Sequence, residues 1–242
     1  MSADMNDQLV LVGGESGSGK SASLRNIRNQ EHWLYLNCEA GKRLPFQNQF
    51  QAHRIEDPYQ VHEAFDYGTG RADIHGIIID TMTFMMDMLE TMYVLPSTNT
   101  MAAWGNYGQF FKQLMQQKVV AFGKPVIILA HTRQDLDEKA MEMKTQVPIK
   151  GALKNNGVEA YFSTVVAAKK VNLKDLENYA NSLLTITEED EMLGYKHVFQ
   201  TRLTKGTVNE RIRSPMGLFT REQTFMDNDA QRLLDHLHTF YG

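Results

Sequence analysis

Short apolar runs closed by polar or glycine residues punctuate the first 130 positions, at 9–12 (LVLV), 33–37 (WLYLN), 76–80 (GIIID) and 125–130 (PVIILA). Their length and β-branched content predict strands, and helical spacing of apolar positions begins after Ser21, Asp57-Pro58, Thr81 and Asn106. Asp57 followed by Pro58 reads as an N-cap and first helical position, with Val61, Ala64 and Phe65 on one face. The runs GIIID and VIILA are apolar at consecutive positions, so both faces of those strands are expected to be covered by helices. Strand and helix alternate, which predicts an α/β fold with a mostly parallel central sheet. Ligands of such sheets sit at the carboxyl ends of the strands.

The pattern changes in the last third. Strands are predicted at 163–171, 182–187 and 195–203, then a closing helix at 228–240. Strands in series suit a mixed or antiparallel extension of the sheet. The expected organisation is one domain over 1–242, with a core at about 8–170 and an extension of strands and helix at about 171–242. No internal repeat or Pro/Ser linker divides it. Segments 95–103 and 132–147 are polar and weakly periodic, and loops this long inside a compact domain usually carry function or motion.

Composition narrows the classes. A chain of 242 residues with 42% hydrophobic content can bury a sizeable core. Its net charge of −4 disfavours a globally cationic nucleic-acid binder, so any DNA contact must be local. The single cysteine, Cys38, excludes an internal disulfide and a Cys-rich zinc module. With no signal-like or membrane-length apolar segment, a soluble, cytoplasmic protein is expected. Five of its 14 methionines fall in TMTFMMDMLETM, which reads as an adaptable buried helix, with a partner-binding surface as the alternative.

The chemistry starts behind the first strand. Gly14-Glu15-Ser16-Gly17-Ser18-Gly19-Lys20-Ser21 satisfies G-x-x-x-x-G-K-[ST] between a predicted strand and a predicted helix. In such a loop the glycines let backbone N–H groups converge on phosphate oxygens, the lysine reaches the β/γ-phosphates, and the serine hydroxyl binds Mg²⁺. ATP with Mg²⁺ is the expected ligand. Asp80, closing GIIID, is the candidate for holding the magnesium hydration shell. Glu39, two residues past WLYLN on a strand expected beside the phosphate loop, is the candidate for orienting or deprotonating a water. His131, ending VIILA, could bond the γ-phosphate and signal its presence to 132–147.

Together these features resemble the core of RecA-like P-loop ATPases. NCEAGKRLPF, ILAHT and IKGALKNNGVEAYFSTVVAA resemble the small phage-encoded RecA-like ATPases of the Sak recombination class, over roughly 9–170. The resemblance implies that Lys20 and Ser21 bind phosphate and Mg²⁺, Asp80 is the Walker B carboxylate, Glu39 the catalytic carboxylate and His131 the sensor, where RecA has glutamine. It also implies host cytoplasm, single-stranded DNA as a partner, phage annealing or single-strand-binding proteins, and self-assembly into a ring or filament. A basic residue from a neighbouring subunit would complete the site. For it TRLTKGTVNERIRSP supplies Lys205, then Arg211 and Arg213, expected on late strands. Lys144, Lys150 and Lys154 occupy the region that touches DNA in such recombinases. Tyr161 and Phe162 either stack on bases or pack in the core.

Two other classes compete with a DNA-acting ATPase. A small-molecule P-loop kinase would need an Arg-rich lid, and 132–147 holds only Arg133. A nucleotide-dependent assembly module would use the Met-rich helix and the segment 96–101 as its interface. The absence of N-K-x-D and of an LSGGQ-like signature disfavours a guanine switch and an ABC-type ATPase.

Overall fold

The computed structural model describes residues 6–137 and 141–242. Along the chain run β1 (Leu9–Gly14), β2 (Trp33–Asn37), β3 (Gln51–Arg54), α1 (Tyr59–Gly68), β4 (Gly76–Asp80), α2 (Met82–Leu89), α3 (Thr100–Gln113), α4 (Val119–Phe122) and β5 (Val126–His131). Then follow β6 (Arg133–Asp137), β7 (Glu142–Gln146), α5 (Leu153–Asn156), β8 (Thr164–Asn172), α6 (Leu173–Leu176), α7 (Glu188–Leu193), β9 (Tyr195–Gln200), β10 (Phe225–Asp227) and α8 (Ala230–Tyr241).

The main sheet has eight strands in the order β10-β9-β8-β1-β5-β4-β2-β3. Every pairing from β8 to β3 is parallel. The last two, β8 with β9 and β9 with β10, are antiparallel. The mostly parallel α/β sheet with antiparallel strands at its C-terminal edge is therefore as the sequence predicts. Side chains of β1, β4 and β5 alternate between two apolar layers. Leu11, Ile77, Ile79 and Ile128 pack with Phe65, Met85, Met86 and Phe111, whereas Val10, Val12, Ile78 and Leu129 pack with Leu24, Leu233 and Leu237. Covering both faces is what consecutive isoleucines require, since each exposed one would forfeit roughly 2 kcal/mol of burial. Met82, Met85 and Met86 are buried, so the methionine run is largely core, although Met92 is 42% exposed.

Several boundaries differ from the sequence reading, each for a local reason. Segment 182–187 is not a strand. It runs beside β10 through Asp227 N–H to the Leu183 carbonyl, and the three-residue β10 takes the place next to β9. Strand β3 escapes sequence reading because it is an edge strand whose Ala52, His53 and Arg54 are exposed. The expected loop at 132–147 forms the β6–β7 antiparallel ribbon, with 138–140 outside the described residues. Helix α3 starts at Thr100 rather than after Asn106, because the Asn99 side chain caps it by accepting from Ala102 N–H at 3.1 Å. Gly105 and Gly108, being weak helix formers, mask that start in the sequence. The helix after Ser21 is a single short 3₁₀ segment, Ser21–Asn26. The basic stretch 201–214 is not a strand but turns and isolated bridges, in which Arg213 pairs with Val165.

Candidate functional site

The parallel strands β1, β2, β4 and β5 end on the same side of the sheet, and their carboxyl ends deliver the candidate residues. After β1 the loop turns through Gly17 at φ 75° and Gly19 at φ 98°, values that residues with a Cβ adopt only under strain. At Gly14 the constraint is room: a Cβ would lie 2.8 Å from the Ala168 carbonyl of β8. Lys20, only 6% exposed, donates from Nζ to the carbonyls of Gly14 and Glu15, both at 2.8 Å. Burial lowers its pKa to about 8, against the opposing pull of Asp80 and Glu39. The cation is held where water is scarce, which strengthens its attraction for an incoming anion.

Asp80 ends β4 and is 2% exposed. The Tyr35 hydroxyl of β2 donates to its Oδ2 at 2.8 Å, while Oδ1 is buried with no partner among the described residues. Burial raises the Asp80 pKa, opposed by the Tyr35 and Ser21 hydroxyls and by Lys20. The unpaired Asp80 oxygen and the Ser21 hydroxyl beside that carboxylate are the hard oxygen donors that a hydrated Mg²⁺ takes, so these residues fit the ion.

His131 joins the lysine to the glutamate. An ammonium can only donate, so Lys20 Nζ, 3.4 Å away, makes His131 Nδ1 the acceptor and leaves the ring proton on Nε2. That Nε2–H donates to Glu39 Oε1 at 3.2 Å. The histidine is anchored from behind by its backbone N–H, which donates to Thr83 Oγ1 at 2.8 Å.

Glu39 reaches this network by a route other than the expected one. β2 is not beside β1; β5 and β4 stand between them. The carboxylate enters because the chain folds back after β2, with Ala40 at φ 52° and Gly41 at φ 78°. Asn37 clamps the turn, its Oδ1 accepting from Glu39 N–H at 3.0 Å and its Nδ2 donating to the Lys42 carbonyl at 2.7 Å. Asn37 is not among the residues that sequence reasoning singles out, although an asparagine shortly before Ala-Gly is a turn signal. The hydrogen bond from His131 and the Lys42 ammonium at 3.0 Å hold the Glu39 pKa down to about 2, against desolvation. It is a carboxylate at neutral pH.

Lys20, Ser21, Tyr35, Glu39, Asp80 and His131 line one cavity of about 330 Å³. The remaining candidates lie elsewhere. Lys205 is exposed on a turn and Arg213 is exposed. Arg211 is engaged within its own chain, donating to the Asn156 carbonyl at 3.0 Å and to buried Glu159 at 3.3 Å. Lys144 lies on β7 opposite Asp135, and Lys150 pairs with Glu90 at 2.6 Å. Lys150 and exposed Lys154 share a concavity of about 390 Å³ with Arg133 and Trp104, an aromatic residue that the sequence reading does not single out. Phe162 is buried and Tyr161 packs edge-on against Phe111, so the core placement holds for both. Among the described residues no helix is long and apolar enough to cross a membrane.

Comparison with protein families finds a match to the family described as an AAA domain, over residues 6–207. No curated protein matches the chain.

Proposed function

The chain belongs to the AAA domain family, and from that premise we propose that it binds ATP with Mg²⁺ at the 14–21 loop and hydrolyses it with Glu39 as the water-orienting carboxylate. The observation that carries this reading is the connected series Lys20, His131 and Glu39, three side chains from three strand ends meeting in one cavity beside Asp80. Lys20 would exchange its two loop carbonyls for β/γ-phosphate oxygens. Ser21 and, through water, Asp80 would hold Mg²⁺, which neutralises charge on the phosphates. Glu39, pinned between His131 and Lys42, orients a water better than it removes its proton. Its basicity rises once Lys42, whose side chain is 69% exposed, swings away. A γ-phosphate drawing Lys20 off His131 Nδ1 would alter the bond that His131 makes to Glu39, which gives the histidine its sensing role.

The finer reading is a RecA-like protein of the phage Sak recombination class, acting on single-stranded DNA as one domain that assembles into a ring or filament. The Trp104 concavity with Arg133, Lys150 and Lys154 supports it, because stacking beside cations binds single strands without sequence preference. Lys205 and Arg213, exposed and not paired with a carboxylate among the described residues, are the trans-acting candidates ahead of Arg211. Steady-state ATP hydrolysis with and without single-stranded DNA, at two salt concentrations, tests this. Salt-sensitive stimulation is expected; turnover indifferent to DNA would leave an ATPase that serves a protein assembly instead.

A further inference from the structure

The 3₁₀ segment behind the phosphate loop is six residues long and puts only Ser23 and Leu24 into the core. Its support comes from the far end of the chain. Arg25 donates to the Asn228 carbonyl at 3.0 Å, Asn26 donates to Asp229 at 2.6 Å, and Arg28 N–H donates to Gln231 at 2.9 Å. Two side chains of the same region touch the loop itself. Asn228, 3% exposed, donates from Nδ2 to the Gly19 carbonyl at 2.9 Å, and His197 of β9 bonds the Ser18 carbonyl through Nδ1 at 3.0 Å.

These contacts decide where the loop's N–H groups point. In a planar trans peptide the N–H is antiparallel to the C=O of the preceding residue. Fixing the Ser18 carbonyl therefore fixes the Gly19 N–H, and fixing the Gly19 carbonyl fixes the Lys20 N–H. The Gly19 carbonyl also accepts from Ser23 N–H at 3.0 Å, so Asn228 adds a second restraint from outside the segment. No Cβ fits between: at Gly19 it would lie 2.6 Å from Asn228 Nδ2 and 3.0 Å from His197 Nδ1. A carbonyl cannot donate, so the Asn228 amide has one workable orientation.

We propose that Asn228 and His197 are positioning residues of the nucleotide site, preorganising the Gly19 and Lys20 amides for phosphate, so that the strands and helix after residue 171 complete the phosphate loop of their own chain. Asn228 lies beyond the matched family region, which ends at 207. The inference rests on the nucleotide-binding reading of the same loop.

The test is calorimetric titration of the full-length chain with Mg·ATP and with inorganic pyrophosphate, for wild type, Asn228→Asp, His197→Phe and Lys20→Ala. Asn228→Asp keeps the shape and replaces the donor by an acceptor facing the Gly19 carbonyl; His197→Phe keeps the ring against Tyr195. Each should weaken both ligands about tenfold, the size expected from one lost hydrogen bond to the loop. KM for ATP should rise by the same factor with kcat changed less than about threefold, a split that general loosening of the fold does not produce. Pyrophosphate separates loop geometry from adenosine recognition. Wild-type affinity for pyrophosphate in a folded Asn228→Asp or His197→Phe variant overturns the proposal, and if Asn228→Asp melts early, His197→Phe decides it. Wild-type affinity in Lys20→Ala instead overturns the nucleotide-site reading on which it rests.

Discussion

Replacing Glu39 by glutamine separates the charge of this residue from its shape. The amide that takes the carboxylate's place keeps an oxygen able to accept from His131 Nε2–H, so the histidine stays in place, and ATP affinity should remain within a few-fold of wild type. What disappears is the anion. Turnover, measured as steady-state phosphate release at saturating ATP, should fall at least about a hundredfold, the usual size of a general-base contribution and about 2.7 kcal/mol of barrier. Stability provides an independent readout. A pKa of about 2 against an ordinary 4.5 corresponds to about 3 kcal/mol at neutral pH. Solvent screening of the exposed Lys42 partner reduces that to about 1–2 kcal/mol. The folded-state value is depressed, so this stabilisation is complete above pH 4.5 and drains away as pH falls towards 2. Melting temperature followed from pH 7 downward should show that loss in wild type and a flatter profile in Glu39→Gln. Near-normal turnover in the variant would refute the assignment of the water-orienting role, and an unchanged acid profile would refute the joint hold of His131 and Lys42 on the carboxylate.

Three further substitutions address the rest of the site. Lys20→Ala should abolish ATP binding by calorimetry, because no other cation reaches the Gly14 and Glu15 carbonyls of the loop among the described residues. Tyr35→Phe removes the donor to Asp80 Oδ2 and leaves a buried carboxylate poorly satisfied. Chemical denaturation at pH 7 should register a loss of about 1–3 kcal/mol, and Mg·ATP should recover part of it. If Lys205 or Arg213 acts across a subunit boundary, an inactive alanine variant mixed with Lys20→Ala should regain hydrolysis, since each contributes the part the other lacks. Activity no higher than that of the separate variants would exclude that division of labour.

Much of the site was legible because its chemistry is local in sequence. The phosphate loop needs glycines at fixed offsets from a lysine and a serine, and Gly17, Gly19, Lys20 and Ser21 are where that geometry demands. Apolar runs on β1, β4 and β5 announced buried parallel strands, and Asp80 and His131 stand at their ends, where a parallel sheet always opens its crevice. The edge elements were illegible for the same reason. β3 and the β6–β7 ribbon bury little, so neither carries a hydrophobic period to read.

What the sequence determined by itself was a mostly parallel α/β sheet and a glycine-rich turn behind its first strand, because burial on two faces and backbone freedom at glycine are properties of single segments. Tertiary structure alone decided how distant segments meet. It placed β2 three strands from β1 and still delivered Glu39 to His131 through a turn clamped by Asn37. It also set Asn228 against Gly19, 209 positions away in the chain. Such pairings follow from sheet order and chain crossings, and those are settled by the free energy of the whole packed core.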